Sequence, residues 1–357
     1  MEIASGFIQY MNMKIGKITL AFGFGCDIIN IMFGRRADGK RIKGINGMLR
    51  MTPLLMRTRE GATNYFKLQQ DMSYFDNYIA KKRKEGIEYC YRDLVIAILV
   101  RVFKMRPRLN RFIIASKFYQ RKIIDVAMIV HKSLRTGEDE TVVKGRFTGY
   151  ETLPEAKAIM DKEIAKAVRA TNDADAQIDI FEKLPFPLLR GLSWIFRLFD
   201  HWGLLSDKFL QDNSPFHSSI FLTDLKSIKM DYVYHHLYNF GNCGFFIALG
   251  KEENTPVVDD DGKIVVKKIM ELGISVDERY VDGLYFRRMI KDITRMVENL
   301  ELLERPLEED EIHHEKTYKQ MKTERKNKKK DAKKKKKENK KARKQEKRDA
   351  RIAKRAA

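Results

Sequence analysis

Moving a proton or an acyl group near neutral pH calls for an imidazole, a thiol or a carboxylate with a displaced pKa. Among the seven histidines, His235 and His236 form the one adjacent pair besides His313 and His314, in Tyr-His-His-Leu-Tyr. Neighbours on a strand point to opposite faces, so at most one of His235 and His236 would reach a given site. His131, His217, His313 and His314 stand in no constellation. The run Asp277-Glu278-Arg279, followed by Asp282-Gly283, gathers charge at one point. There Glu278 either joins a polar network or, buried in an apolar channel, has its pKa raised and serves as a base. Cys26, Cys90 and Cys243 are odd in number and far apart. That excludes a disulfide framework and a Cys-x-x-Cys metal site, so no metal is expected and a reducing, cytoplasmic compartment fits best.

The elements that would position these groups alternate between helix and strand. Residues 63–68 read as a strand and 74–84 as a helix; Asp93 caps an apolar helix from Leu94 that Pro107 ends. Strands follow at 123–131 and 142–148. Thr152-Leu-Pro-Glu155 has capping-box spacing and opens a helix with Ile159, Met160, Ile164 and Val168 on one face. The stretch after Leu184-Pro-Phe-Pro holds both tryptophans, Trp194 and Trp202, and reads as a helical hairpin that packs on the body or meets a membrane or partner. Strands at 219–225, 244–250 and 263–275 precede a helix from Gly283 whose apolar residues recur at 3 and 4. Residues 37–51, basic and broken by glycine, read as an arm and not a regular element.

The 357 residues are 43% hydrophobic and 33% charged, which excludes a wholly disordered or collagen-like chain, and a mean hydropathy of -0.45 argues against a polytopic membrane protein. The net charge of +21 sits mostly in the tail, since from residue 311 onward 22 Lys and Arg face 7 Asp and Glu. Such a run buries no core and attracts nucleic acid or anionic lipid without specificity. Near the start, Ile18, Leu20, Phe22 and Phe24 alternate as in a half-buried strand, and Met32 is an alternative start to Met1. No signal peptide is evident.

Taken in order, several stretches resemble the superfamily of chloramphenicol acetyltransferase and the catalytic domain of the 2-oxoacid dehydrogenase lipoamide acyltransferases, over about residues 45–305. Residues 273–283, Gly-Ile-Ser-Val-Asp-Glu-Arg-Tyr-Val-Asp-Gly, look like the family's closing strand and H-x-x-x-D-G signature, with Asp282 and Gly283 in register and Glu278 at the histidine position. The strand and turn from Phe221 through Thr223 to Asp231 resemble the one carrying a hydroxyl toward the reacting carbonyl. Tyr91-Arg-Asp-Leu through Pro107-Arg-Leu-Asn110 is similar to the family's helix and P-x-L-N turn.

The resemblance implies a chloramphenicol-acetyltransferase-like fold, α/β, with a two-layer mixed sheet and helices, and a homotrimer whose acyl-transfer channel lies between subunits. It implies coenzyme A or acyl-CoA as cosubstrate, Glu278 or a replacement imidazole such as His236 as base, Thr223 as oxyanion donor, and Asp282 and Gly283 ordering the signature turn. The expected organisation is an arm over 1–44, a catalytic domain over 45–305 and a basic tail over 306–357. Neither a lipoyl domain nor an Asp-Lys-Ala-like swinging-arm site precedes it, so the core of a classical 2-oxoacid dehydrogenase complex is not expected. The expected function is coenzyme A dependent acyl transfer to a thiol or hydroxyl. The competing expectation, motivated by Glu278, is a non-catalytic trimeric scaffold; a nucleic-acid binder would rest on the tail alone.

Overall fold

A computed structural model describes residues 36–131, 140–169, 184–259, 261–314, 320–332, 335 and 338–339. The strand expected near Ile18 and most of the Lys/Arg run lie outside them. The chain divides into two units: one holds the described residues up to Ile42 and from Leu49 to His314, the other Lys43–Met48 and the described residues from 320 on, which are helical over 320–332.

In chain order the elements are β1 (Gly39–Arg41), α1 (Gly47–Leu55), β2 (Thr63–Asp71), α2 (Ser73–Lys84), α3 (Tyr91–Met105), β3 (Arg111–Ile114), β4 (Lys117–Arg121), β5 (Ile124–His131) and β6 (Glu140–Phe147). Then come α4 (Leu153–Arg169), α5 (Phe186–Trp202), α6 (Asp207–Asn213), β7 (Ile220–Asp224), β8 (Phe245–Val258), β9 (Ile264–Asp277) and α7 (Gly283–Glu298). The main sheet runs β2-β9-β8-β7-β5-β6; β7 is parallel to both neighbours and the other pairings are antiparallel, while β1-β4-β3 form a small second sheet. This is the mixed α/β sheet that the sequence leads one to expect.

Strand alternation gives the sheet two dissimilar faces. Leu68, Ile247, Met270, Leu272 and Ile274 meet Phe75 of α2, Val95, Ile98 and Leu99 of α3 and Ile293 and Val297 of α7. On the opposite face Ala127, Phe221 and Phe246 pack with Leu237 and Cys243, which lie in the β7–β8 connection. α3 is the central helix, buried along nearly its whole length. It includes Arg101, whose guanidinium donates to the carbonyls of Leu302 and Arg305 and so holds the turn after α7. The glutamate half of the expected capping box is present: the Thr152 N–H and hydroxyl both donate to the Glu155 carboxylate at 2.8 Å. The basic stretch 37–51 departs from expectation, because β1 pairs with β4 and α1 begins at Gly47. The helical hairpin is uneven: α5 has 17 residues, and after Gly203, which turns the chain with φ 70°, α6 has seven.

Lys144 of β6 is buried and donates Nζ to the carbonyl oxygens of Leu210 and Ser214, both at 2.8 Å, so a cation caps the C-terminal end of α6. Burial pushes its pKa down to about 8. The unfolded chain then holds more protons than the folded one between pH 8 and the ordinary lysine range near 10.4. Stability therefore rises with pH there. Urea midpoints measured from pH 8 to 9.5 are expected to climb, and Lys144→Met is expected to flatten that climb.

Candidate active site

β9 ends on Asp277, whose carboxylate is almost fully buried. Arg279 holds it with Nε to Oδ1 at 2.8 Å and Nη2 to Oδ2 at 2.6 Å, and Nε of Arg59 lies 3.8 Å from Oδ2. Arg59 also donates to the carbonyls of Tyr238 at 2.5 Å and Gly241 at 3.0 Å. Because Asp277 occupies Arg279, the intervening Glu278 is left outside the ion pair. Its N–H continues the β2 pairing to Ala62 O at 2.9 Å, and among the described residues its half-buried carboxylate accepts one bond, from Asn64 Nδ2 at 2.6 Å. Glu278 thus stands outside the Asp277–Arg279 pair and makes a polar contact with Asn64 instead.

Asp282 is the N-cap of α7, accepting from Tyr285 N at 2.9 Å, and it also accepts from Arg108 Nη2 at 2.9 Å. Arg108 Nε reaches Tyr280 O at 2.5 Å. The Pro107-Arg-Leu-Asn110 turn is thereby tied to the signature, while the buried Asn110 accepts from Ser219 Oγ at 2.6 Å just before β7. Gly283 needs correction: its φ is ordinary and a Cβ there would meet open space, so glycine is not required for the turn. The glycines required here are Gly273, where a Cβ would lie 2.2 Å from Val233 O, and Gly244, where it would lie 1.6 Å from the Tyr280 hydroxyl.

Thr223 is half-buried on β7, on the face opposite the helices. Register places it beside Ala248, and Ala248 beside Gly273, five residues before Glu278. At ~3.4 Å per residue and ~4.8 Å per strand, Thr223 and Glu278 of one chain stand about 20 Å apart. One chain does not bring them together. The histidine pair also differs from expectation, because residues 231–238 form no strand and the two rings lie together at 4.9 Å instead of pointing apart. His236 is exposed, whereas His235 lies flat on Phe246 at 4.0 Å with Nδ1 2.9 Å from His236 O.

His217, without a visible constellation in the sequence, has one in space. Its Nδ1 is 2.6 Å from Ser214 Oγ and its Nε2 is 3.2 Å from Asp200 Oδ1, all three residues buried. The Asp200 approach lacks hydrogen-bond alignment, and Arg36 holds the same oxygen at 2.6 Å. Burial lowers the His217 pKa, so the imidazole is neutral and braces α5 against the β7 entry. Ser214 lies three positions before His217 and Asp200 17, and neither spacing marks a constellation in the sequence. Among the described residues no three potential metal ligands converge.

Residues 244–304 match the family model of the 2-oxoacid dehydrogenases acyltransferase (catalytic domain). This acyltransferase-like segment contains β8, β9, the signature and α7, so the resemblance carried by residues 273–283 is borne out. Solved structures similar to the chain include a probable dihydrolipoamide acetyltransferase of Listeria monocytogenes, 16% identical over 73% of this chain and 95% of that one, with a TM-score of 0.46. The dihydrolipoamide acetyltransferase of Azotobacter vinelandii is 14% identical over 71% and 87%, with a TM-score of 0.46. A chloramphenicol acetyltransferase is 10% identical over 72% and 99%, with a TM-score of 0.39. No curated protein matches the chain.

Within this segment the contact of Gly244 with Tyr280 is directly testable. Tyr280 is fully buried, and burial pushes its hydroxyl above the ordinary tyrosine range. Gly244→Ala is expected to destabilise the fold by ~1–3 kcal/mol through overpacking. Tyr280→Phe in the same chain is expected to recover part of that loss, read as urea midpoints in a double-mutant cycle.

Proposed function

We propose that the chain is a coenzyme A dependent acyltransferase whose site forms between two copies of a trimer. The observation that carries this reading is the state of Glu278: a half-buried carboxylate at the family's histidine position, excluded from the Asp277–Arg279 pair and held by Asn64 alone among the described residues. Its free oxygen is available to a proton.

In the proposed reaction Glu278 of one copy takes the proton from an acceptor thiol or hydroxyl, and the acceptor attacks the thioester carbonyl of acyl-CoA. Thr223 of a neighbouring copy donates its hydroxyl to the tetrahedral oxyanion. Collapse breaks the carbon–sulfur bond and expels the coenzyme A thiolate, which recovers the proton from Glu278. The separation of about 20 Å within one chain supports a site shared by two copies. Asp282 acts as a positioning residue through the α7 cap, and His236, exposed on the β7–β8 connection, is assigned no role. The replacement of an imidazole by Glu278 favours a second reading, a scaffold of the same fold without turnover.

Thiol release from acetyl-CoA with dihydrolipoamide or a small hydroxylated acceptor separates the two. An enzyme is expected to lose ~10²-fold or more in turnover on Glu278→Gln, as for loss of a general base. A scaffold is expected to show no release until Glu278→His restores an imidazole. Light scattering is expected to give a trimer, and a monomer with wild-type turnover would overturn the shared site.

A further inference from the structure

Beside the turn joining β3 to β4 lies a polar cavity of about 320 Å³, lined among others by Arg57, Arg59, Arg197, Asp200, His201 and Arg279. Four arginines and one aspartate thus line it, and Asp200 is already engaged by Arg36. Arg279 is matched by Asp277, which also lies near Arg59. The other two have no such partner. Among the described residues the Arg197 guanidinium meets only the Phe240 ring, 5.6 Å away, and the Arg57 side chain makes no hydrogen bond or ion pair. Burial pushes the Arg59 guanidinium below its ordinary range, with the charge of Arg279 acting in the same direction. The cavity therefore holds positive charge that no described residue neutralises.

The rim is also strained. Ala115 and Ser116 take φ values of 51° and 56°, left-handed conformations that cost side chains free energy and collect at ligand sites. Glycine or asparagine would make this two-residue hairpin turn without strain.

We infer that this cavity binds a phosphate-bearing anion, with Arg57 and Arg197 as its principal donors and Arg59 and Arg279 as the charged floor. Guanidinium forks match the paired oxygens of a phosphate, and the volume exceeds that of one phosphate, leaving room for a second phosphate or an attached group. His201 adds a donor at the same wall. A free phosphate ester and a phospholipid headgroup share this chemistry. The inference does not rest on the acyl-transfer reading.

Both tryptophans stand on α5, the helix that supplies Arg197 and His201, so intrinsic fluorescence reports on the site. The full chain is titrated with pyrophosphate, and separately with vesicles of phosphatidylcholine with and without phosphatidylglycerol. Saturable response to pyrophosphate assigns a soluble ligand; response only to vesicles containing phosphatidylglycerol assigns a headgroup. Either affinity is expected to fall about tenfold or more on Arg57→Gln and on Arg197→Gln, the loss of a charge-assisted hydrogen bond. Arg190→Gln, on the same helix and outside the cavity, is expected to leave it unchanged. The basic tail is common to all variants, so an affinity equal in wild type, Arg57→Gln and Arg197→Gln would assign binding to the tail and overturn the site. No saturable response to either probe would do the same. Both arginines are exposed and unpaired among the described residues, and far-UV circular dichroism checks that the variants fold.

Discussion

The end of β9 depends on one buried charge. A carboxylate removed from water costs several kcal/mol unless its oxygens are met by opposite charge and hydrogen bonds. Asp277 meets that demand with both nitrogens of the Arg279 fork, the Arg279 N–H at 3.1 Å and the nearby Arg59. Each partner anchors something further. Arg59 gathers the carbonyls of Tyr238 and Gly241 from the β7–β8 connection, and Arg279 reaches Met56 O at 3.3 Å after α1. Removing Asp277 would leave two arginines buried without a counter-charge beside the three backbone carbonyls they hold. The orientation of Glu278 is a consequence of this arrangement, since its two neighbours in sequence satisfy each other.

Much of the architecture was legible because local chemistry and tertiary demand agree. The apolar run from Leu94 is helical by propensity and central by burial, and the periodic residues of the last helix, Met289, Ile293, Met296 and Val297, are all buried. The signature was legible through its resemblance, with Asp282 and Gly283 in register at the end of an apolar strand. The β3–β4 hairpin was not, since its turn uses Ala115 and Ser116 where glycine or asparagine would mark it. The start of α1 was hidden by glycines, and the pairing of β1 depends on β4, some 80 residues away.

The polar interior was the least legible part. Lys144, His217, Asp200 and Arg36 stand in no local pattern of the sequence, and their roles appear only when β6, α5 and the β7 entry converge. Contacts of this kind span long separations and leave no local spacing to detect. The candidate site has the same character. Thr223 and Glu278 were named from the residues around them, but their separation is a matter of strand register.

The order of the main sheet also constrains how the protein is made. Its edge strand β2 pairs along its full length with β9, Thr63 opposite Asp277, so more than half the chain must leave the ribosome between the two. Local helices and the β5–β6 hairpin can form during synthesis, whereas β2 must wait as an unpaired strand with Phe66 and Leu68 uncovered. The α7 helix that covers Phe66, stacking Phe286 on it at 3.8 Å, arrives still later. The N-terminal half therefore emerges as a client for chaperones, and truncations that stop before residue 277 deliver an open sheet edge prone to association.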